Sequence, residues 1–192
     1  MNLYLRLLMV WLRSLTHSKQ HYSRAIESAF RVMPHDLDAF GHMNNGRYLQ
    51  IMDVARTEWM LMTGIADAIR RMRWSPLLGG GVVRYRHSLH LFQHYHVRTR
   101  LLGWDDRWFY LEHGFFDGRD RCVAVGVTRA GLRDGEGWVH TDDVVNEVQP
   151  GARSPEMPAH VRDWIALDDA MYRHGEERFM PQALQVSSRT LA

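Results

Sequence analysis

The clearest pattern in the chain is a series of apolar residues spaced three or four apart between residues 45 and 63. This spacing places them on one side of a helix, and polar or charged residues fill most of the other side. Asn44 or Asn45 can cap the first turn, and Gly64 can end the last turn in the left-handed conformation. The pattern predicts one long helix from about Asn45 to about Thr63. Its apolar stripe consists of Tyr48, Ile51, Ala55, Trp59 and Met62.

Strand-like patterns lie on both sides of this helix. Residues 23–32 alternate loosely and predict a first strand, and residues 66–72 predict a short second helix. Four further strands are predicted at residues 78–88, 95–104, 108–116 and 121–130, separated by turn residues such as Asp105-Asp106 and Asp117-Gly118. One strand, a long helix and then four strands is an α+β order. A long apolar helix wrapped by a bent antiparallel sheet is the hot-dog arrangement, which we predict as a single domain.

The pattern weakens toward the end of the chain. Residues 131–158 are rich in Gly, Pro and Asp and predict a loop, residues 158–173 predict a closing helix, and the last dozen residues resemble a frayed tail. The predicted organisation is therefore an N-terminal segment at 1–20, the hot-dog domain at 21–150 and a C-terminal extension at 151–192.

The N-terminal segment is apolar and basic. Residues 3–15 are rich in Leu, Met, Val and Trp, but Arg6 and Arg13 interrupt them seven residues apart on one helical face. The uninterrupted apolar part, residues 7–12, is far shorter than the ~20 residues that span a bilayer, and no small-residue signal cleavage site follows. We predict an amphipathic helix that either lies on a membrane surface through residues 1–15 or packs on the domain or on a partner subunit.

Composition narrows the class of protein. The 24 Lys and Arg residues against 22 Asp and Glu residues give a net charge of +2. This near balance, without a recognised nucleic-acid-binding module, argues against a nucleic-acid partner. A single cysteine, Cys122, excludes an intramolecular disulfide and fits a reducing compartment, so we expect a cytoplasmic protein, either free or membrane-associated.

The densest candidate chemistry lies between Asp36 and Asn45, directly before the long helix. A carboxylate beside a helix N-terminus can activate water, while free backbone N–H groups can hold an oxyanion. His42 and Asn44 are close enough in sequence to orient the carboxylate or the water. Asp36 is expected to be structural, either capping the turn or bonding Arg56.

The residues of this segment resemble a known family. The motif that carries the resemblance is Asp36-x-Asp38-x-x-Gly41-His42-x-Asn44-Asn45-x-x-Tyr48, with Asp53 and Arg56 further along the helix. It is similar to the signature of hot-dog-fold thioesterases of the 4-hydroxybenzoyl-CoA type. Segments 84–89 and 97–107, with Pro155-Glu156-x-Pro158 and Trp164, resemble the branch around thioesterase superfamily member six. The resemblance covers roughly residues 1–170.

This resemblance implies a function and a site. An acyl-CoA thioester would be hydrolysed to the free acid and CoA, with Asp38 as nucleophile or general base and the backbone amide of Asn45 as oxyanion donor. His42 joins them as a candidate catalytic residue, and Asn44 and Tyr48 as candidate substrate-binding residues. The resemblance also implies a homodimer or homotetramer, because hot-dog sites usually lie between two protomers, and it associates the N-terminal segment with membranes.

Alternatives remain open at this stage. The same fold could bind an acyl-CoA or a fatty acid without turnover, or act as a 3-hydroxyacyl thioester dehydratase. Arg84 and Arg86 could bind the CoA phosphates, since arginine binds phosphate bidentately, or they could lie on a solvated sheet face. The histidines between His87 and His96 lack acidic or cysteine partners at ligand spacing, so we expect no metal and no cofactor.

Overall fold

A long helix and an antiparallel sheet form the body of the molecule. The computed structural model describes residues 2–179. Its elements are α1 (Asn2–Thr16), β1 (Ile26–Arg31), a 3-10 turn (Pro34–Asp36), α2 (Asn45–Thr63), α3 (Ile65–Met72), β2 (Ser75–Tyr85), β3 (His94–Trp104), β4 (Phe109–Asp117), β5 (Cys122–Arg133), α4 (Thr141–Asn146) and α5 (Ala159–Phe179). The predicted α+β order is confirmed. The predicted C-terminal tail lies outside the described residues.

The sheet has five strands in the order β1-β3-β4-β5-β2, and every neighbouring pair is antiparallel. The predicted alternation along β3 is confirmed, because Tyr95, Val97, Thr99 and Leu101 are buried while Arg100 is exposed. Strands β1 and β2 form the two edges. The edge strand β2 is mostly exposed along its length.

The apolar stripe of α2 packs on the sheet. Its first half joins a core cluster with Val97 and Phe115, and its second half joins another with Leu111. The approach is close at Gly126 of β5, where an added Cβ would lie 2.4 Å from the Met52 Cε atom. Glycine at that position leaves room for the end of the Met52 side chain between the helix and the strand.

The two ends of α2 follow local chemistry. The Asn44 side chain accepts a hydrogen bond from the Gly46 N–H, as expected of an N-cap. Gly64 ends the helix with φ +87°, a left-handed conformation that costs glycine little. Helix α2 therefore begins and ends at the predicted residues.

Helix α1 packs on α2 with its charged residues turned inward. Arg6 is only 4% exposed, and Arg13 Nη1 lies 3.3 Å from Glu58 Oε1. Among residues 2–179 no helix is long and apolar enough to cross a membrane. The outward face of α1 carries seven exposed large apolar side chains: Tyr4, Leu5, Leu8, Met9, Trp11, Leu12 and Leu15.

The prediction of a loop over residues 131–158 is wrong in two places. Strand β5 continues to Arg133, and α4 occupies Thr141–Asn146. Val144 and Val145 of α4 are buried, so tertiary packing stabilises a helix too short to show a period. The described chain forms two compact units that divide after Glu156, and the predicted closing helix is present as α5 in the second unit.

Candidate active site

The segment between β1 and α2 begins with a turn held by Asp36. Its buried carboxylate accepts hydrogen bonds from Arg6 Nη2 at 2.5 Å and from the Met33 N–H at 2.9 Å. The prediction that Asp36 caps the turn is therefore confirmed, but Arg56 is not its partner. Arg56 instead bonds Asp53 one helical turn away at 2.5 Å, because that neighbour lies on its own helix.

Asp38 sits near the tip of a small hairpin that leads into α2. The Asp36 carbonyl accepts the Asn44 N–H at 2.8 Å, Leu37 pairs with Met43, and the Asp38 N–H donates to the His42 carbonyl at 2.8 Å. This ladder ties the arm that carries Asp38 to the arm that enters the helix. Asp38 is therefore fixed relative to the N-terminus of α2 by backbone bonds.

The Asp38 carboxylate is half-buried, and only one of its oxygens accepts hydrogen bonds from the described chain. Oδ1 accepts the Phe40 N–H at 2.9 Å and the His42 N–H at 3.2 Å. Within residues 2–179, Oδ2 has no hydrogen-bond partner. The backbone bonds fix the orientation of the carboxylate and leave one oxygen to act on a ligand or a water molecule.

The first turn of α2 has one unused donor. The Gly46 N–H bonds the Asn44 side chain at 2.8 Å, and the Arg47 N–H bonds the Asn44 carbonyl at 2.9 Å. Among the residues that the structure describes, nothing accepts the Asn45 N–H. Because the positive end of the helix dipole is also here, this N–H is suited to an oxyanion.

His42 and His90 lie side by side next to Asp38. Residue 42 pairs with residue 90 in an isolated bridge, and the two imidazole rings meet edge to face with centroids 5.0 Å apart. His42 touches Asp38 through its backbone N–H. His90 was not expected in the site, and no local signal points to it, since a 48-residue separation joins it to His42 only in the fold. In the described part of the chain, no three metal-binding side chains lie close enough to hold an ion.

Tyr48 lies in the first turn of α2 and is not exposed at the surface. Its side chain is 2% exposed and contacts Tyr85 and Phe115. Burial, followed by the nearby Tyr85, raises the pKa of Tyr48 to about 12, so its hydroxyl stays protonated at neutral pH. A direct role for Tyr48 in substrate binding would require the surrounding side chains to move.

Tyr85 is a site neighbour that the sequence reasoning missed. Its hydroxyl donates to the Asn45 carbonyl at 3.0 Å, which fixes the first peptide of α2. Arg84, the adjacent residue of β2, points to the opposite sheet face because side chains alternate along a strand. Arg86 lies beyond the strand end, where its N–H donates to the Val123 carbonyl. Both arginines are exposed.

Comparison with known proteins gives a consistent family. Residues 32–165 match the family model described as Thioesterase-like superfamily. Protein THEM6 of Xenopus laevis is 38% identical over 141 residues, which cover 72% of this chain and 66% of that protein. The chain spans less than two thirds of the length of the curated relatives that it matches.

Solved structures show the same fold at low sequence identity. The probable thioesterase YbaW of Escherichia coli superposes with a TM-score of 0.60 at 16% identity, covering 65% of this chain and 96% of that protein. The Staphylococcus aureus protein SAV2348, solved in complex with CoA, superposes with a TM-score of 0.54 at 13% identity and covers 78% and 86%. The predicted hot-dog fold is confirmed, and the chain belongs to the thioesterase-like superfamily.

Proposed function

We propose that the protein is an acyl-CoA thioesterase that hydrolyses an acyl-CoA to the free acid and CoA. The observation that carries this proposal is an Asp38 carboxylate with one oxygen unpartnered in the described chain, on a hairpin that leads directly to the unused Asn45 N–H at the start of α2. A carboxylate and an oxyanion donor are the two groups that thioester hydrolysis needs. Family membership supports the same class of reaction.

The reaction needs little else from the protein. Asp38 either attacks the thioester carbon directly, forming an acyl-aspartyl anhydride that water then hydrolyses, or removes a proton from the attacking water. The carbonyl oxygen becomes an oxyanion, which the Asn45 N–H stabilises. Collapse breaks the C–S bond and releases the thiolate of CoA. A thiol has a pKa of ~8.5, so the thiolate leaves without a general acid.

A mainly apolar pocket of about 200 Å³ lies between α2, α3 and the sheet. Its lining on α2 begins at Asp53, about 12 Å along the helix from Asn45, so it supports an acyl group only as a place for the far end of the chain. Trp59, Leu77, Phe109 and Leu132 line it. It exceeds the ~150 Å³ cavity that holds benzene in an engineered protein core. The CoA complex of SAV2348 supports CoA as the carrier.

Two surfaces support the proposed partners. The edge strand β2 exposes Leu78 and Val82, and an uncovered apolar edge is prone to pair with another chain, which favours a homodimer or homotetramer. The apolar outward face of α1 favours peripheral contact with a membrane. The single cysteine favours a cytoplasmic location.

The test is a thiol-release assay with purified protein and acyl-CoAs from two to eighteen carbons. Asp38→Asn should lower kcat by about 10²- to 10⁴-fold, the contribution expected of a positioned general base. Asp106→Asn, a change of an exposed turn carboxylate, serves as the matched control and should keep full activity.

Other results would point to the alternatives. If wild type and Asp38→Ala are equally inactive on every acyl-CoA, the enzyme proposal fails. Tight acyl-CoA binding without turnover would then indicate a binding protein. Hydration of crotonyl-CoA, followed by absorbance, would indicate a dehydratase.

A further inference from the structure

A groove of about 1060 Å³ runs beside α1, separate from the Asp38 site. Helix α1 forms one wall, and β1 with the first turns of α2 forms the other. The lining includes neither Asp38 nor Asn45, so the groove is a distinct feature of the surface. Its volume slightly exceeds the ~300–1,000 Å³ typical of small-molecule sites.

Apolar side chains line both walls of this groove. Helix α1 contributes Leu3, Leu5 and Met9, and the facing wall contributes Ala29, Phe30 and Met33. Leu5 and Met9 are about half exposed, so nothing within the described chain covers them. Two facing apolar walls of this kind suit an alkyl chain better than a polar ligand.

The polar part of the lining is basic. The groove includes Arg31, Arg47 and His94, and of the described residues that line it none is acidic. The neighbouring Asp36 carboxylate is already neutralised by Arg6 at 2.5 Å. The net charge offered to a ligand is therefore positive.

Both arginines are held in place, and Arg31 keeps free donors. Arg31 donates through Nε to the Phe92 carbonyl at 2.9 Å, while its two terminal nitrogens have no hydrogen-bond partner within residues 2–179. Arg47 donates to the His35 carbonyl at 2.8 Å and to Gln50 Oε1 at 2.5 Å, and its Nε lies 3.6 Å from Asp36 Oδ1. Each of its terminal nitrogens therefore keeps one N–H for a ligand. A guanidinium fixed through some of its N–H groups is prepared to bind a carboxylate through the others.

We infer that this groove binds a long-chain fatty acid, with the alkyl chain between the apolar walls and the carboxylate at Arg31 and Arg47. This binding does not depend on hydrolysis at Asp38, because the two sites share no residue. The proposal and the thioesterase activity can therefore fail separately.

The test measures palmitate binding to the full chain by calorimetry, below the micelle concentration. Helix α1 supplies a matched pair of variants: Met9 lines the groove at 48% exposure, and Leu12 lies outside it at 49% exposure. Met9→Glu should weaken binding at least tenfold, because it places a carboxylate against the alkyl chain and repels the ligand's own charge. Leu12→Glu should leave the affinity unchanged. Arg31→Gln should also weaken binding about tenfold.

Two further measurements identify the ligand class. Cetyltrimethylammonium carries the same chain length with a positive head and should bind at least tenfold more weakly than palmitate. Phospholipid vesicles test whether the outer face of α1, and not the groove, takes up lipid; Leu12→Glu should reduce vesicle binding without affecting palmitate.

The proposal is overturned by any of three results. These are equal losses in Met9→Glu and Leu12→Glu, equal affinity for the cationic amphiphile, or vesicle binding with no binding of monomeric palmitate. If Met9→Glu fails to fold by circular dichroism, Leu5→Glu in the groove and Leu15→Glu outside it replace the pair, at 59% and 63% exposure.

Discussion

The ion pair between Arg6 and Asp36 joins the N-terminal helix to the segment that carries the proposed site. The two side chains are 4% and 0% exposed, and Arg6 Nη2 lies 2.5 Å from Asp36 Oδ2. Arg6→Met removes the charge and keeps much of the length of the side chain. We expect this change to destabilise the protein strongly, because it leaves a buried carboxylate without its main partner.

The contacts that remain around Asp36 determine how much stability the Arg6→Met variant should lose. Removing one partner of a buried ion pair costs about 3–5 kcal/mol. Asp36 would keep the Met33 N–H at 2.9 Å, and Arg47 Nε lies 3.6 Å from its other oxygen. These remaining contacts place the expected loss near the lower limit, about 3 kcal/mol. The Asp36 carbonyl also accepts the Asn44 N–H, so the loss should extend to the N-cap of α2.

Urea unfolding followed by tryptophan fluorescence measures the loss, which at ordinary urea sensitivities corresponds to a midpoint shift of about 1–2 M. Arg100→Met is the control, because it breaks the exposed pair with Glu112 and should cost about 0–1 kcal/mol. The double variant Arg6→Met/Asp36→Asn should recover part of the loss, since no unpaired charge remains. The reasoning is refuted if Arg6→Met is no more destabilising than Arg100→Met.

Two buried ionisable groups predict opposite pH dependences. Burial, helped by Arg56, lowers the pKa of His113 from 6.5 to about 3, so its stability contribution is complete above pH 6.5 and is lost as the pH falls toward 3. His113→Gln should flatten this acid slope in urea titrations; unchanged slopes would contradict the assignment. Burial raises the pKa of Glu58 above 4.5, although the Ser28 hydrogen bond and the Arg13 charge oppose the shift. The contribution of Glu58 to the free energy of unfolding is therefore complete below pH 4.5 and is lost as the pH rises through the pKa of the folded state. Glu58→Gln should therefore gain stability relative to wild type as the pH rises from 4.5 to 7, and parallel curves would exclude this.

Elements with local determinants were predictable from the sequence. Helix α2 carries both of its end signals, Asn44 and Gly64, next to its apolar stripe, so its bounds follow from short-range chemistry. The alternation along β3 is equally local. Helix α4 was missed because a segment of six residues is too short to show a helical period. It is held instead by a contact with a strand distant in sequence, in which Trp104 Nε1 donates to Asp142 Oδ1 at 2.6 Å.

The residues of the candidate site also divide into those with local sequence signals and those placed only by the fold. The carboxylate at Asp38 and the helix start at Asn45 lie in one short motif and can be identified together. The contacts of Asp36 with Arg6, of His42 with His90 and of Asn45 with Tyr85 join residues 30 to 48 positions apart. Sequence periodicity does not predict such pairs, because each depends on two distant segments becoming neighbours in the folded structure.

The orientation of α1 follows from two partners that the sequence does not connect to it. Arg6 and Arg13 share one helical face, which in isolation would be the face turned to water. Asp36 and Glu58 are both buried carboxylates, and each binds one of these arginines. The inward face of α1 therefore combines these two ion pairs with the packing of Leu3, Leu7 and Val10 on the core. The same orientation leaves a second apolar face outward, where α1 can act both as one wall of the groove and as a surface for contact with lipid.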